Sequence, residues 1–228
     1  MQNLAHELKT PIFAIQGYVD TLLNGALENP SVNKKFLENA ANNIERMVNL
    51  VSDLDEISKL ENGTQPVNKQ NFIIQYLIKD VFEALSIKSS KKEVKCTIKK
   101  GCEYPITVFA DKEKIRQVLI NLVDNAIKYG KKGGHVIASI YKTDGKNILI
   151  EISDDGIGIA EEHLNRIFER FYRIDSNRSR DIGGTGLGLA ICKHIIEAHY
   201  QTIHARSKIN VGTTIGFTLN AKESSDVN

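Results

Sequence analysis

Apolar residues at Leu4, Leu8, Ile12, Ile15, Val19 and Leu22 follow one another at three- and four-residue steps. That spacing puts them on one face of a helix over residues 4–23. Leu37, Ala40, Ile44, Met47, Val51, Leu54 and Ile57 repeat the pattern over residues 33–61, and Asn24-Gly25 and Asn29-Pro30-Ser31 supply the breaks between the two runs. Two amphipathic helices on a short turn make an antiparallel hairpin, which cannot cover both of its own stripes. A second copy covers them, so the pattern predicts a homodimer whose two hairpins form a four-helix bundle.

Glu61-Asn62-Gly63-Thr64 ends the second helix and reads as a linker, after which the period changes. A strand near Pro66 to Phe72 leads into an apolar helix from Ile73 to Leu85 and a lysine-rich turn. Val94 to Lys99 and Ile106 to Phe109 read as strands, and Asp111 as the N-cap of a helix running to about Tyr129. His135 to Tyr141 and Ile148 to Ser153 form a strand pair joined at Thr143-Asp144-Gly145-Lys146. Residues 155–185 are polar and punctuated by glycine, with one short helix over Glu161 to Phe168. A helix over Leu187 to His199 and strands over Thr202 to Ala205 and Thr214 to Leu219 close the sheet, before a polar tail from Lys222 to Asn228. None of these strands is the long apolar run of a parallel sheet. The fold expected is therefore α+β: a helical hairpin over residues 1–62, then an α/β sandwich with a mostly antiparallel sheet over 63–228.

Composition narrows the function little. The net charge of +2 over 228 residues gives no reason to expect a nucleic-acid partner. No run approaches the ~18 apolar residues of a membrane span, and no signal peptide is visible. No membrane contact is therefore expected within this stretch. Cys96, Cys102 and Cys192 are odd in number and lack metal-ligand spacing, so they read as free thiols in a reducing, cytoplasmic compartment. Met1 precedes what looks like the interior of a helix, and the chain reads as the cytoplasmic part of a longer protein, with any membrane anchor lying upstream.

Three stretches carry candidate chemistry. Asp154-Asp155-Gly156-Ile157-Gly158 follows the strand that ends at Ser153. It brings a carboxylate to a sheet edge, where it can accept from an exocyclic amine, and the glycines let a flat ring approach the main chain. A tight turn explains the same residues. Asn121 and Asn125 lie four apart on the preceding helix, with Lys128 on nearly the same side. Amide oxygens are hard ligands suited to Mg²⁺, and an ammonium can hold a phosphate; a solvated polar stripe is the competing explanation. Gly184-Thr185-Gly186-Leu187-Gly188 opens a helix whose free N–H groups could bind an anion. No Lys-Ser/Thr follows these glycines, so this is not a P-loop, and Leu189 occupies the third glycine position of a dinucleotide fingerprint.

In this order the three stretches resemble the nucleotide-binding domain of bacterial sensor histidine kinases, which share their fold with the gyrase and chaperone ATPases. Phe168-Glu169-Arg170-Phe171-Tyr172-Arg173 is similar to that family's phenylalanine box. The resemblance implies that Asp154 accepts from the adenine amine of ATP, beside Gly156 and Gly158. It implies that Asn125 holds Mg²⁺ with Asn121 close by, and that Lys128, Tyr129 and Arg173 line the ribose and phosphates. Gly184, Thr185, Gly186, Leu187, Gly188 and Leu189 would complete the nucleotide site, and residues 159–185 would form a mobile lid. Gly212-Thr213 resembles the family's last glycine-threonine pair, whose threonine hydroxyl supports the aspartate. Two features depart from the family: Tyr200 stands where relatives often carry glycine, and the sheet ends without the usual Leu-Pro.

His6-Glu7-Leu8-Lys9-Thr10-Pro11 lies on the first helix, with His6 off the apolar stripe and facing solvent. A lone histidine there is more often a surface residue than a nucleophile. With an ordinary pKa of ~6.5 it is mostly neutral at cytoplasmic pH. Pro11 lacks an N–H, which removes the bond to the Glu7 carbonyl and should bend the helix beside His6. The run is similar to the phospho-acceptor box of the same kinases. That implies autophosphorylation of His6, with Glu7 orienting or deprotonating the imidazole, and transfer to an aspartate on a response regulator receiver domain. Thr10 stands where relatives place a threonine that positions water for dephosphorylating the regulator, which implies a second, phosphatase activity. An ATP-driven conformational module would share the nucleotide site but leave His6 without a use, and a degenerate scaffold would not need every motif residue. His135, His163, His194, His199 and His204 read as structural, and no zinc is expected.

Overall fold

The computed structural model describes residues 2–62, 66–143, 146–174 and 185–222, without the side chains of Gln2, Asn3, Leu4 and His6. Helix α1 (Gln2–Leu23) runs unbroken through Pro11. A 3₁₀ turn (Ala26–Glu28) entered at Gly25, whose φ of 111° a side chain would resist, turns the chain into α2 (Asn33–Glu61). The two helices pack along their length. The outer part of their shared apolar stripe is nonetheless bare in one chain: Ile12, Val19, Leu37, Ile44 and Val51 are each between 42% and 56% exposed.

The second half alternates strands and short helices: β1 (Gln70–Ile73), α3 (Ile74–Ala84), α4 (Ser86–Lys91), β2 (Lys95–Ile98), β3 (Thr107–Ala110) and α5 (Lys112–Tyr129). Then come β4 (His135–Lys142), β5 (Asn147–Asp154), α6 (Glu161–Leu164), α7 (Gly188–Ala198), β6 (Ile203–Lys208) and β7 (Gly212–Ala221). The sheet runs β1-β3-β7-β5-β4-β2, with β6 also on β7. All pairs are antiparallel except β2 with β4. The mostly antiparallel α/β sandwich expected from the pattern is the fold observed, behind a helical hairpin. Ile148, Ile150 and Ile152 of β5 alternate inward and are buried with Leu119, Leu122 and Val123 of α5 and Ile191 and Ile195 of α7.

Two expected elements are shorter. The strand placed near Pro66 to Phe72 pairs only from Gln70, and the helix placed over Glu161 to Phe168 stops after one turn at Leu164. Arg166 bonds back to His163 and Glu169 to Arg166 through turn hydrogen bonds instead.

Asp111 fixes where α5 starts. Its Oδ1 accepts from the Glu113 and Lys114 amides at 3.1 Å, the N-cap geometry expected of it. Its own amide donates to His199 Nε2 at 3.0 Å, and His199 Nδ1 lies 2.7 Å from the Ile195 carbonyl oxygen. His199 is 2% exposed, and burial holds its pKa below the ordinary value. This neutral imidazole ties the start of α5 to the end of α7.

The chain leaves α7 through a Schellman turn. The Gln201 amide donates to the Ile196 carbonyl and the Tyr200 amide to that of Glu197, with Tyr200 at φ 60°. This is why glycine suits the position, and Tyr200 is 89% exposed, so its ring is not needed for packing. Tyr200→Gly is expected to stabilise the fold by about 1 kcal/mol, raising the melting temperature by roughly 2–4 °C. A thermal melt that falls instead would show that the stacking of Lys69 over the Tyr200 ring, at 5.4 Å, outweighs the backbone strain.

Candidate functional site

Helix α5 is the spine of the site, because two of the three motif stretches meet the third along it. Near its middle, Asn121 faces the start of α7: a Cβ on Gly188 would stand 3.4 Å from Asn121 Oδ1. The Asn121 amide also bonds to the Cys192 thiol, which burial pushes up to about 12, an unreactive cysteine. Asn125 sits one turn on, half-buried. At the C-terminal end, the Tyr129 carbonyl crowds Gly156 so closely that no side chain fits there.

Asp154 is the last residue of β5. Ser153 lies opposite Thr214, its hydroxyl 2.8 Å from the Thr214 hydroxyl, and this register delivers the preceding amide to Asp154. Asp154 Oδ1 accepts from Gly156 N at 2.8 Å and Thr213 N at 3.3 Å, so Oδ2 is the oxygen left for a ligand. Burial raises the Asp154 pKa and the two amides pull it back. The contact from Thr213 is a correction: the amide reaches Asp154, while the hydroxyl lies 2.9 Å from Ser207 Oγ. Gly212, at φ 136°, lies directly against the Asp154 carbonyl, and Gly158, at φ 71°, against that of Lys208.

The glycine-rich turn is held from both sides. The Phe171 amide donates to the Gly186 carbonyl at 2.9 Å, and Thr185 Oγ1 donates to Asp53 Oδ2 at 3.0 Å while accepting from Leu187 N at 3.2 Å. The Leu187 side chain is fully buried, and its amide is bound by the Thr185 hydroxyl. Leu189 is half-buried against the core. Gly184 lies outside the described residues, as do residues 175–184 of the expected lid. Arg173 and Lys128 are both half-buried. Burial lowers the Lys128 pKa, Asp124 opposes this, and the positive charges of Arg173, Lys88 and Arg46 add to it. Tyr129 is half-buried beside them, its ring centre 5.2 Å from Lys128 Nζ.

Several residues at the site carried no signal in the sequence. Lys92, in the lysine-rich turn, donates to the Ile127 and Lys128 carbonyls at 2.8 and 2.6 Å and caps α5 beside Asp154. Helix α2 docks on the sandwich through Glu56, which pairs with Lys114 at 2.6 Å and Gln117 at 2.5 Å, and through Glu61, which pairs with Arg170 and lies 3.6 Å from His194. Leu50 and Ile57 of α2 are buried in the same core as α7. On α1, Glu7 lies 3.9 Å from Arg46 of α2, and Thr10 is exposed. The side chain of His6 lies outside the described ones.

The residues present fit a magnesium nucleotide. Two amide oxygens, a carboxylate with one uncommitted oxygen and a helix N-terminus surround main chain bared by glycine, with cations at the edge. Comparison with known proteins agrees. Residues 110–223 match the family model described as histidine kinase-, DNA gyrase B- and HSP90-like ATPase, and residues 1–63 match that of the His kinase A phospho-acceptor domain. The chain belongs to the sensor histidine kinases of two-component systems.

Among curated histidine kinases, the sensor histidine kinase WalK of Bacillus subtilis (strain 168) is 40% identical over 225 residues, 97% of this chain and 36% of WalK. The chain thus spans about a third of that relative's length. Among solved kinases, the Acinetobacter baumannii histidine kinase AdeS superposes with a TM-score of 0.76 at 27% identity, covering 95% of this chain and 98% of that one. The histidine kinase ThkA, in a complex with the response regulator TrrA, superposes with a TM-score of 0.77 at 25% identity, covering 96% of this chain and 60% of that one. Among the described residues, no helix of this kinase is long and apolar enough to cross a membrane.

Proposed function

We propose that this chain is an ATP-dependent protein histidine kinase. It autophosphorylates His6 and passes the phosphoryl group to an aspartate of a response regulator. The observation that supports the reading is the convergence on α5, where Asn121 meets Gly188 and Tyr129 meets Gly156, so that the three proposed nucleotide stretches come together along one helix. Residues 1–62 act as the dimerisation and phosphotransfer domain, and residues 63–228 as the ATP-binding domain.

Asp154 accepts from the adenine amine through Oδ2, and Lys128, Tyr129 and Arg173 line the ribose and phosphates. Asn125, with Asn121 close by, holds Mg²⁺, which when bound neutralises charge on the transferring phosphoryl group. One imidazole nitrogen of His6 attacks the γ-phosphorus, so a P–N bond forms as the P–O bond to the β-phosphate breaks and ADP leaves. Glu7 takes the proton from the other ring nitrogen. Incubating the chain with γ-labelled ATP and Mg²⁺ should yield label that is labile to acid and stable to alkali, the signature of phosphohistidine; unlabelled protein would refute the reading.

Two parts of the proposal have their own tests. The bare stripe of Ile12, Val19, Leu37, Ile44 and Val51 is the surface a second hairpin would cover. Light scattering should therefore give a dimer, and a monodisperse monomer at micromolar concentration would count against the four-helix bundle. Thr10 is proposed to position water for dephosphorylating the regulator. Thr10→Ala is then expected to spare autophosphorylation and slow regulator dephosphorylation roughly tenfold; equal losses in both would remove its separate role.

A further inference from the structure

An α-helix leaves its last four carbonyls without partners inside the helix. In α5 these belong to Ala126, Ile127, Lys128 and Tyr129, and the chain leaves at once through Gly130, at ψ 164°. The Gly130 amide takes the Ala126 oxygen at 2.8 Å. Lys92 Nζ takes the next two, Ile127 at 2.8 Å and Lys128 at 2.6 Å, and the Ile157 amide takes that of Tyr129 at 3.4 Å. The middle of the helix end is thus closed by an ammonium, the charge that a helix C-terminus favours.

The same helix end is where the two halves of the proposed nucleotide site meet. Asn121, Asn125 and Lys128 stand on α5. The Asp154 turn leans on the last residue of that helix, because the Tyr129 carbonyl abuts Gly156 and bonds to the Ile157 amide. The backbone around Lys92 is tied to the same side. The Gly133 amide donates to the Lys92 carbonyl at 3.2 Å and the Lys95 amide to that of Gly134 at 2.9 Å, while the His135 amide donates to Asp155 Oδ1 at 3.1 Å. A Schellman turn at the end of α4 aims the lysine inward, with the Glu93 amide on Ser90 and the Val94 amide on Ser89. Glu93 takes its left-handed position, at φ 59°, which glycine would fill without strain. Such strain persists only where the surroundings require the conformation, and what this turn delivers is the half-buried side chain of Lys92.

On the reading that this site takes a magnesium nucleotide, we propose that Lys92 is a positioning residue for it. By holding the end of α5, the ammonium fixes the separation between the Asp154 turn, which takes adenine, and the α5 side chains, which take Mg²⁺ and phosphate. Lys92 contacts neither end of the ligand. It matters only to a ligand that reaches both halves at once, because such a ligand gains from partners already set at the right spacing.

Three affinities test this, for adenine, for pyrophosphate with Mg²⁺ and for ADP with Mg²⁺, each measured by displacement of a fluorescent nucleotide. K92M keeps the aliphatic stem and is expected to bind ADP about tenfold more weakly, the worth of a hydrogen bond from a charged donor, with adenine and pyrophosphate within about twofold of the wild type. K92Q, with a neutral donor, should fall between, and carries the same test should K92M fail to fold. K92R, whose guanidinium can serve both carbonyls, should recover most of the loss. All three affinities are read in one protein, so a smaller folded fraction does not change their ratio. Parallel weakening of all three ligands, or a loss confined to one fragment, would overturn the proposal. So would unchanged binding with only a lower melting temperature, which would make Lys92 a helix cap and nothing more. A wild-type chain that binds no ADP refutes the nucleotide reading and this proposal with it, whereas wild-type binding that K92M leaves unchanged refutes only the role of Lys92.

Discussion

His6→Ala is expected to abolish the acid-labile, alkali-stable label completely while leaving nucleotide affinity unchanged. The substitution removes the nitrogen lone pair that attacks phosphorus, and no neighbour can replace it. The helix survives the change, because alanine has the best intrinsic helix propensity and α1 extends a full turn or more on either side. Nucleotide binding is spared because the proposed nucleotide site draws on α5, the end of β5, the turn before α7 and the start of β7, and on no residue of α1. Label persisting on His6→Ala, or nucleotide binding lost with it, would place the acceptor elsewhere.

Asp154→Asn is expected to weaken ATP binding by roughly tenfold to a hundredfold, the worth of one hydrogen bond to a charged, desolvated acceptor. The amide oxygen can still take the Gly156 and Thr213 N–H groups, so the turn keeps its shape and the melting temperature changes little. What is lost is the carboxylate oxygen facing the ligand, since an NH₂ now points at the adenine amine, donor against donor. Guanine offers a carbonyl at the same place, so the variant should lose discrimination between ATP and GTP as well. Isothermal titration with both nucleotides reads the two effects. Unchanged ATP affinity would mean that Asp154 serves only to hold Gly156 and Thr213.

The sequence marked the motif-bearing elements well wherever a local rule was strong. The N-cap at Asp111, the run of α5 to Tyr129 and both hairpin helices follow from side chains and backbone within a few residues of each other. The same locality explains the errors. Nothing within Glu161 to Phe168 shows that the helix unwinds after Leu164, because the Phe171 amide is bonded to Gly186, fifteen residues on. The role of Thr213 depends on which of its two donors the β5–β7 register aims at Asp154, and register is a pairing between strands far apart in the chain.

By itself, then, the sequence determined the hairpin with its unpartnered apolar stripe, the mostly antiparallel sandwich and the side chains proposed to hold a nucleotide, since each rests on periodicity or on chemistry carried by neighbouring residues. Only the tertiary structure decided that Gly188 and Gly156 both come to α5, that Lys92 caps that helix beside Asp154, and that Glu56 of α2 pairs with Lys114 and Gln117 of α5. Those contacts join residues tens of positions apart, and a lysine or glutamate free to meet water looks the same in a sequence as one that packing has placed beside a counter-charge.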